Sequence, residues 1–486
     1  MKGMTIQAIA KACNGVIHAD NGNYKEVQGV ELDSRKLQEG YLFLATKGER
    51  VDGHSFIPQA FEKGCYAVVC EKLPEVLSGP CILVEDSLKA LQDIAAYYRQ
   101  QLSIKVVGIT GSVGKTSTKE VIASVLAQKY CTLKTEGNYN NEIGLPLTVL
   151  KIRDEHEAAV LEMGINHFGE MHRLSRIAKP DICVITNIGQ CHLEFLIDRD
   201  GILRAKSEIF DYMNPEGVVC LNGDDDKLAA VTQVHGKKPL FYGINDNCDI
   251  QSREIVNLGL EGSLAKVIEK RAIEVFGSTK DEYNKTNPTD FTMKESEQSN
   301  TSKEYSVRIY LPGEHMVLNA LSAIAVGRTL GLTIKEITEG IANTGAVAGR
   351  SNIIHKNKLT IIDDCYNANP VSMKAAIALL ETADTRKTAI LGDMFELGEK
   401  EKELHYDVGT FAAQREIDQI ICVGNLAKEI YKAASNGKMK CCYFETKKEL
   451  IENIHQLIEE NDTILIKASH GMGFGELVEV CSADRF

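Results

Sequence analysis

The chain has 486 residues, 44% hydrophobic and 25% charged, the balance of an ordinary globular protein, and a mostly disordered chain is excluded. Asp and Glu number 68 against 55 Lys and Arg, a formal charge of −13, so nonspecific binding to nucleic acid or anionic membranes, which needs clustered cations, is not expected. Fourteen cysteines are scattered from Cys13 to Cys481 without a Cys-x-x-Cys pair, which favours a reduced compartment over a disulfide framework. The opening MKGMTIQAIAKACNG lacks the apolar core of a signal peptide. There is no apolar run of about 18 residues, the length a membrane span needs. A cytoplasmic protein with no stable membrane insertion is expected.

In chain order, VQGVELDSR and GYLFLAT read as strands, SFIPQAFEKG as a helix ending at Gly64, YAVVC and PCILV as strands, and residues 87–101 as a helix. The run IKVVGIT opens a second unit, with a buried strand over 104–110, a glycine-rich turn and a helix over 115–128. AAVLEMG, DICVITNI and GVVCLN are continuous apolar runs, the pattern of parallel strands covered on both faces. Residues 277–303 are polar and predict a long exposed loop or hairpin tip; SVRIYLPG then reads as a strand and 315–330 as a helix. KLTIIDD, KTAILGD, DQIICVG, KCCYF and DTILIKA, each followed by a helical segment, predict a doubly wound sheet with right-handed crossovers. The expected fold is α/β in three domains: a small α/β domain over 1–102, a central phosphate-loop ATPase-like domain with a mostly parallel sheet over 103–344, and a Rossmann-like doubly wound domain over 345–486.

GITGSVGKTSTK, residues 108–119, falls between the strand and the helix of the central unit. It departs from the strict phosphate-loop template, because Ile109 stands where the first glycine would be, with Gly108 and Gly111 close by. The mechanism survives the departure. Gly111 and Gly114 let backbone N–H groups turn inward around a phosphate, and the helix N-terminus adds positive potential. Lys115 reaches the terminal phosphates and Thr116 offers its hydroxyl to Mg²⁺, so Thr110, Gly111, Ser112, Val113, Gly114, Lys115 and Thr116 form a candidate ATP or GTP site. A glycine turn with an exposed lysine is the plain alternative.

Glu162 ends one apolar run, His192 lies a few residues beyond another, and Lys206 follows in RAKSEIF. Ligands of open parallel sheets collect outside the carboxyl ends of the strands. A carboxylate and a neutral imidazole there suit a partial shell for Mg²⁺ or Mn²⁺. Singly, Glu162 also reads as a capping carboxylate, His192 as a loop histidine and Lys206 as a solvated or phosphate-binding cation.

GITGSVGKTSTK, GNYNNEIGLPLTVL, AVLEMGINHFGEM, ITNIGQCHLEF and RAKSEIF occur in the order found in the Mur ligases of peptidoglycan synthesis, which the chain resembles over residues 30–476. IIDDCYNANPVSMKAA and AILGDMFELGE resemble the branch that adds D-Ala-D-Ala, and GYLFLATKGERVDGHSFIPQAFEKGC resembles the family's uridine-nucleotide-binding domain. The resemblance implies a monomeric ATP-dependent amide ligase that joins D-Ala-D-Ala to UDP-N-acetylmuramoyl-tripeptide through an acyl phosphate, with two Mg²⁺ sites. It makes Lys115 the phosphate lysine, Thr116 a ligand of the first Mg²⁺, Glu162 and His192 ligands at the second, and Lys206 a lysine often carbamylated in the family. Asn319 matches an adenine-contacting position, and Arg350 and Asp364 match residues that reach the nucleotide when the domains close. Cys365, Ala468 and His470 depart from the Ser, Gly and Arg common at these places. No nucleophilic cysteine is required, so Cys191 and Cys365 read as bystanders.

Substrate contacts are spread over three places. Ser34, Arg35, Thr46, Lys47 and His54 lie in the runs that resemble the uridine-nucleotide site, or are ordinary polar surface residues. Tyr366, Asn367, Asn369, Asp393 and Glu396 fall at or just after strand ends, where the dipeptide could bind; Asn367 and Asn369 equally suit a turn and a helix start before Pro370. Asn138 and Asn141 in GNYNNEIG position the peptide carboxylate or form a polar turn. The rival readings are another amino-acid-adding ligase of the family, a folylpolyglutamate-synthase-like ligase, or a nucleotide-dependent switch.

Overall fold

The computed structural model describes residues 1–19, 22, 25–48, 51–191, 193–277 and 303–483; His192 and most of the polar stretch at 277–303 lie outside the described residues. The apolar runs assemble into three sheets. In the first, β1 (Val16–His18), β2 (Val30–Glu31), β3 (Leu42–Leu44), β4 (Ala67–Cys70) and β5 (Cys81–Leu83) lie in the order β1-β5-β4-β3-β2, with only β1 antiparallel. The strand expected from VQGVELDSR stops at Glu31. Its carboxylate takes the N–H groups of Leu32 and Asp33 (2.9 and 3.1 Å), and Asp33 takes that of Arg35 (3.0 Å), so side chains replace the ladder and turn the chain.

The second sheet holds β6 (Lys105–Thr110), β7 (Thr132–Lys134), β8 (Ala158–Glu162), β9 (Ile182–Ile185), β10 (Val218–Asn222), β11 (Leu240–Gly243), β12 (Ile250–Asn257), β13 (Ser263–Glu269) and β14 (Lys303–Ile309). Their order is β14-β13-β12-β11-β10-β9-β6-β8-β7, parallel except for the β12–β13 and β13–β14 pairings. Helices cover both faces, and an apolar core lies on each. The helix Ser87–Gln100 seats the first domain on the second: Tyr98 Oη donates to the Ile152 carbonyl (2.7 Å) and the buried Arg99 Nε to that of Ala178 (2.8 Å).

The third sheet contains β15 (Asn352–Lys356), β16 (Leu359–Asp363), β17 (Lys387–Gly392), β18 (Gln419–Val423), β19 (Lys440–Phe444) and β20 (Thr463–Lys467), in the order β15-β16-β20-β17-β18-β19. The five apolar runs are its parallel strands, with a separate core on either face; β15 adds an antiparallel edge. All fourteen cysteines are free thiols. No described helix is long and apolar enough to cross a membrane.

Candidate active site

Four parallel neighbours, β10, β9, β6 and β8, bring their carboxyl ends together, which sets Thr110, Glu162 and Asn222 along one edge. The chain leaves β6 through Gly111 at φ +149° and enters the helix Lys115–Leu126 through Gly114 at φ +84°, conformations that glycine tolerates. A Cβ at Gly111 would collide with Thr186 Oγ1. The loop is stitched to the segment after β9: Ser112 N donates to the Asn187 carbonyl (3.0 Å), Val113 N to Asn187 Oδ1 (3.0 Å), and Thr186 Oγ1 to the Val113 carbonyl (2.7 Å). No side chain caps the helix, so its first-turn N–H groups are left for an anion to take up, with half-buried Thr116 in that turn. Lys115 folds back over the loop, donating Nζ to the Gly111 carbonyl at 2.8 Å.

Glu162 is 2% exposed. Its Oε1 accepts from Asn140 Nδ2 at 2.8 Å, while Oε2 has no hydrogen-bond partner and lies 3.8 Å from the buried Lys119 ammonium. Thr110 Oγ1 is likewise buried without a partner. Thr110 Oγ1 and Glu162 Oε2, two hard oxygens that make no hydrogen bond at the strand ends beside the phosphate loop, fit the ligand preference of Mg²⁺. Lys206, on the helix Arg199–Ser207, is 1% exposed and makes no hydrogen bond or ion pair to a described residue. Burial lowers its pKa to about 8, with Cys191 opposing the shift and the Lys115 charge adding to it. Among the described residues no group of three or more His, Cys, Asp or Glu side chains is placed to hold a metal; His192, expected in that shell, lies outside the described residues.

Two cavities meet here. One, of about 520 Å³, runs from Gly114 past Asn319 to Arg350, Asp364 and Lys467 of the third domain. Asn319 accepts from Thr118 Oγ1 at 3.0 Å on its wall. The other, of about 800 Å³, is lined by Lys115, Asn138, Asn140, Asn141, Glu162, Arg350, Tyr366 and Asn367. Arg350 belongs to both; its guanidinium lies 4.1 Å from the Tyr366 ring centroid, and its buried Nε has no partner. The structure therefore brings the phosphate loop, Glu162, Arg350 and the start of the third domain's first crossover around one point.

Other residues singled out in the sequence are held differently. Asn141 Oδ1 accepts from the N–H groups of Ile143 (3.2 Å) and Gly144 (2.9 Å), so it builds the turn while lining the cavity. Asn369 caps the helix Pro370–Glu381 in a reciprocal box with Ser372. Asp393 Oδ1 accepts from Leu426 and Ala427 N–H groups, at 3.0 and 2.7 Å, and burial raises its pKa; Glu396 sits just beyond it at φ +61°. Cys365 donates to Asp363 Oδ1 at 2.9 Å and its pKa is pushed up to about 12 by burial, far from a nucleophilic thiolate. In the first domain Thr46, Lys47 and His54 are drawn together, since Gly53 N donates to the Thr46 carbonyl (2.8 Å) and Lys47 bridges Asp52. His54 sits between Asp52 Oδ1 (2.7 Å) and Glu71 N (2.9 Å). Arg35 pairs with Asp33 at 2.8 Å, and Ser34 is buried with its carbonyl held by Lys63. Asn140, the residue on Glu162, was not singled out from the sequence.

A phosphate loop whose terminal-phosphate end opens into a second cavity, roofed by a separate α/β domain, defines an ATP-using enzyme that acts on a further substrate. Residues 26–99, 109–327 and 349–470 match in turn the models described as Mur ligase family, catalytic domain; Mur ligase middle domain; and Mur ligase, glutamate ligase domain. The chain is 37% identical over 486 residues to the UDP-N-acetylmuramoyl-tripeptide–D-alanyl-D-alanine ligase of Bacillus subtilis, covering 98% of this chain and 97% of that protein. A crystal structure of MurF from Acinetobacter baumannii superposes with a TM-score of 0.85 at 32% identity, covering 98% of both chains. That of MurF ligase from Thermotoga maritima in complex with ADP gives 0.77 at 29% identity, over 93% of this chain and 97% of that one. The chain belongs to the Mur ligase family, and it is an ATP-dependent ligase.

Proposed function

We propose that the chain joins D-Ala-D-Ala to UDP-N-acetylmuramoyl-tripeptide, forming ADP and phosphate, by way of an acyl phosphate on the peptide's terminal carboxyl. The observation that carries this reading is Arg350, one guanidinium shared by the nucleotide-type cavity and the cavity that holds Lys115 and Glu162. The full-length similarity to relatives named for this reaction supports it.

A carboxylate does not condense with an amine in water, and bringing it to a triphosphate sets like charges against each other. Lys115, the uncapped helix N-terminus and Arg350 are the positive groups at the cavities where that charge would gather, and they would supply electrostatic stabilisation with no covalent protein intermediate. Thr116 would hold a first Mg²⁺ and Glu162, with His192, a second, with Thr110 Oγ1 a further hard oxygen, and the ions would supply charge compensation to the phosphates. Lys206 is assigned as a carbamate, an oxygen ligand in place of a repelled ammonium. Its pKa of about 8 leaves a share of the amine unprotonated at neutral pH, the form that adds CO₂. Gly111 to Thr116, with Asn319, Arg350 and Asp364, bind the nucleotide. Ser34, Arg35, Thr46, Lys47 and His54 take the uridine nucleotide. Asn138 and Asn141, with Tyr366, Asn367 and Asn369, form the peptide ends of the site. The domains divide at 102/103 and 344/345, and the enzyme works as a cytoplasmic monomer.

The test is an incubation with UDP-N-acetylmuramoyl-tripeptide, D-Ala-D-Ala and ATP, read by product mass and ADP. Joined product is expected only when all three are present; ADP without joined product, or neither, overturns the reading. A panel of single amino acids as acceptors separates it from other amino-acid-adding ligases.

A further inference from the structure

The last strand of the third domain, β20, inserts between β16 and β17, and its final residue is Lys467. Its ammonium is 2% exposed and spends its donors on one place: Asp364 Oδ2 at 2.6 Å, the Asn367 carbonyl at 3.0 Å and the Asp364 carbonyl at 3.4 Å. Asp364 passes the restraint on, because its other oxygen, Oδ1, accepts the Ser351 N–H at 3.0 Å. The neighbouring Asp363 accepts the Gly349 N–H at 2.8 Å. Two consecutive carboxylates thus grip the residues on either side of Arg350. The gripped backbone is left-handed at both positions, Gly349 at φ +72° and Ser351 at φ +48°, and the serine needs such a hold to persist there.

We propose that Lys467 is a positioning residue for the ligase reaction, fixing the Arg350 turn through Asp364, while its bond to the Asn367 carbonyl anchors the ammonium itself. The chemistry explains why an ammonium is used: three donors on one atom reach a carboxylate and two carbonyls from different segments, which no neutral side chain of that length does. The burial explains why its loss is felt, since an unpaired Asp364 would be left out of water and would draw the Ser351 turn with it. This inference rests on the ligase reading and on Arg350 serving the reaction.

The test is a double-substitution cycle on the full chain, read as ADP formed with both peptide substrates present. Lys467→Met is expected to lower kcat about a hundredfold, the size of losing one preorganised charge-stabilising group. In an Arg350→Met background the same change is expected to cost less than about threefold, because there is no guanidinium left to position. Equal losses in the two backgrounds would show a general structural role and overturn the proposal. If Lys467→Met does not fold, the neutral pair Lys467→Met with Asp364→Asn, which buries no lone ion, is compared with Asp364→Asn alone. No further loss in kcat supports the proposal, and a further tenfold loss overturns it. An inactive wild-type chain would sink the ligase reading instead, so the two failures are distinguishable.

Discussion

Asn140 donates its amide to Glu162 Oε1 at 2.8 Å and leaves the other carboxylate oxygen, Oε2, without a hydrogen bond, 3.8 Å from the Lys119 ammonium. The contact is reinforced by the backbone, where Gly164 N donates to the Asn140 carbonyl at 2.8 Å. A residue that orients a metal-binding carboxylate costs about 10–100-fold in metal affinity or activity when removed. Asn140→Ala is therefore expected to raise the Mg²⁺ concentration needed for half-maximal ADP formation by that factor. A Mg²⁺ titration matching the wild type would show that Glu162 needs no such support.

Lys206 should respond to chemistry rather than to charge. Lys206→Ala is expected to be nearly inactive and to regain part of its turnover when a short carboxylate such as acetate or formate is added, because on the carbamate proposal the missing group would be an oxygen ligand. Lys206→Arg, which keeps a cation, should stay inactive. Wild-type turnover in Lys206→Ala without any additive would remove the carbamate from the mechanism.

The strands that carry the site were legible because a parallel strand covered on both faces is an unbroken apolar run, and its end is where polarity returns; Thr110, Glu162 and Asp363 all sit at such ends. The family read from those motifs agrees with the comparisons. Two things were hidden for different reasons. In GNYNNEIG, the direction of each asparagine is set by an irregular turn, in which Asn140 N donates to the Asn138 carbonyl at 2.7 Å, and no sequence period reports it. The insertion of β20 beside β16 is a pairing across a hundred residues of chain, so the contact of Lys467 with Asp364 appears only when the sheet is assembled.

Gly111 tests the phosphate loop without touching its lysine. At φ +149°, with Thr186 Oγ1 where a Cβ would go, alanine can be admitted only by moving the loop off Asn187. Gly111→Ala is expected to weaken ADP binding at least about tenfold by calorimetry, with the far-ultraviolet circular dichroism unchanged. Unaltered ADP affinity would mean that the nucleotide does not depend on this loop.

His405 makes the third domain sensitive to acid. The ring is fully buried; its Nε2 accepts the Met394 N–H at 2.9 Å, which obliges Nδ1 to carry the proton it donates to the Glu401 carbonyl at 2.6 Å. Burial lowers its pKa, with the Glu401 carbonyl and Asp393 only partly offsetting this. In the unfolded chain the histidine takes up a proton near its ordinary pKa of about 6.5, whereas the folded chain resists it. Stability from this group is therefore intact above about pH 6.5 and falls as the pH drops toward the depressed folded value, by at most about 1.4 kcal/mol for each step of one in pH. The loss should appear first at the Met394 amide, whose acceptor disappears when the ring is protonated. Hydrogen exchange at that amide, corrected for its intrinsic pH dependence, is expected to be steady above about pH 6.5 and to accelerate as the pH falls below it in the wild type, and to be flat throughout in His405→Gln. Equal pH profiles in the two proteins would place the acid sensitivity elsewhere.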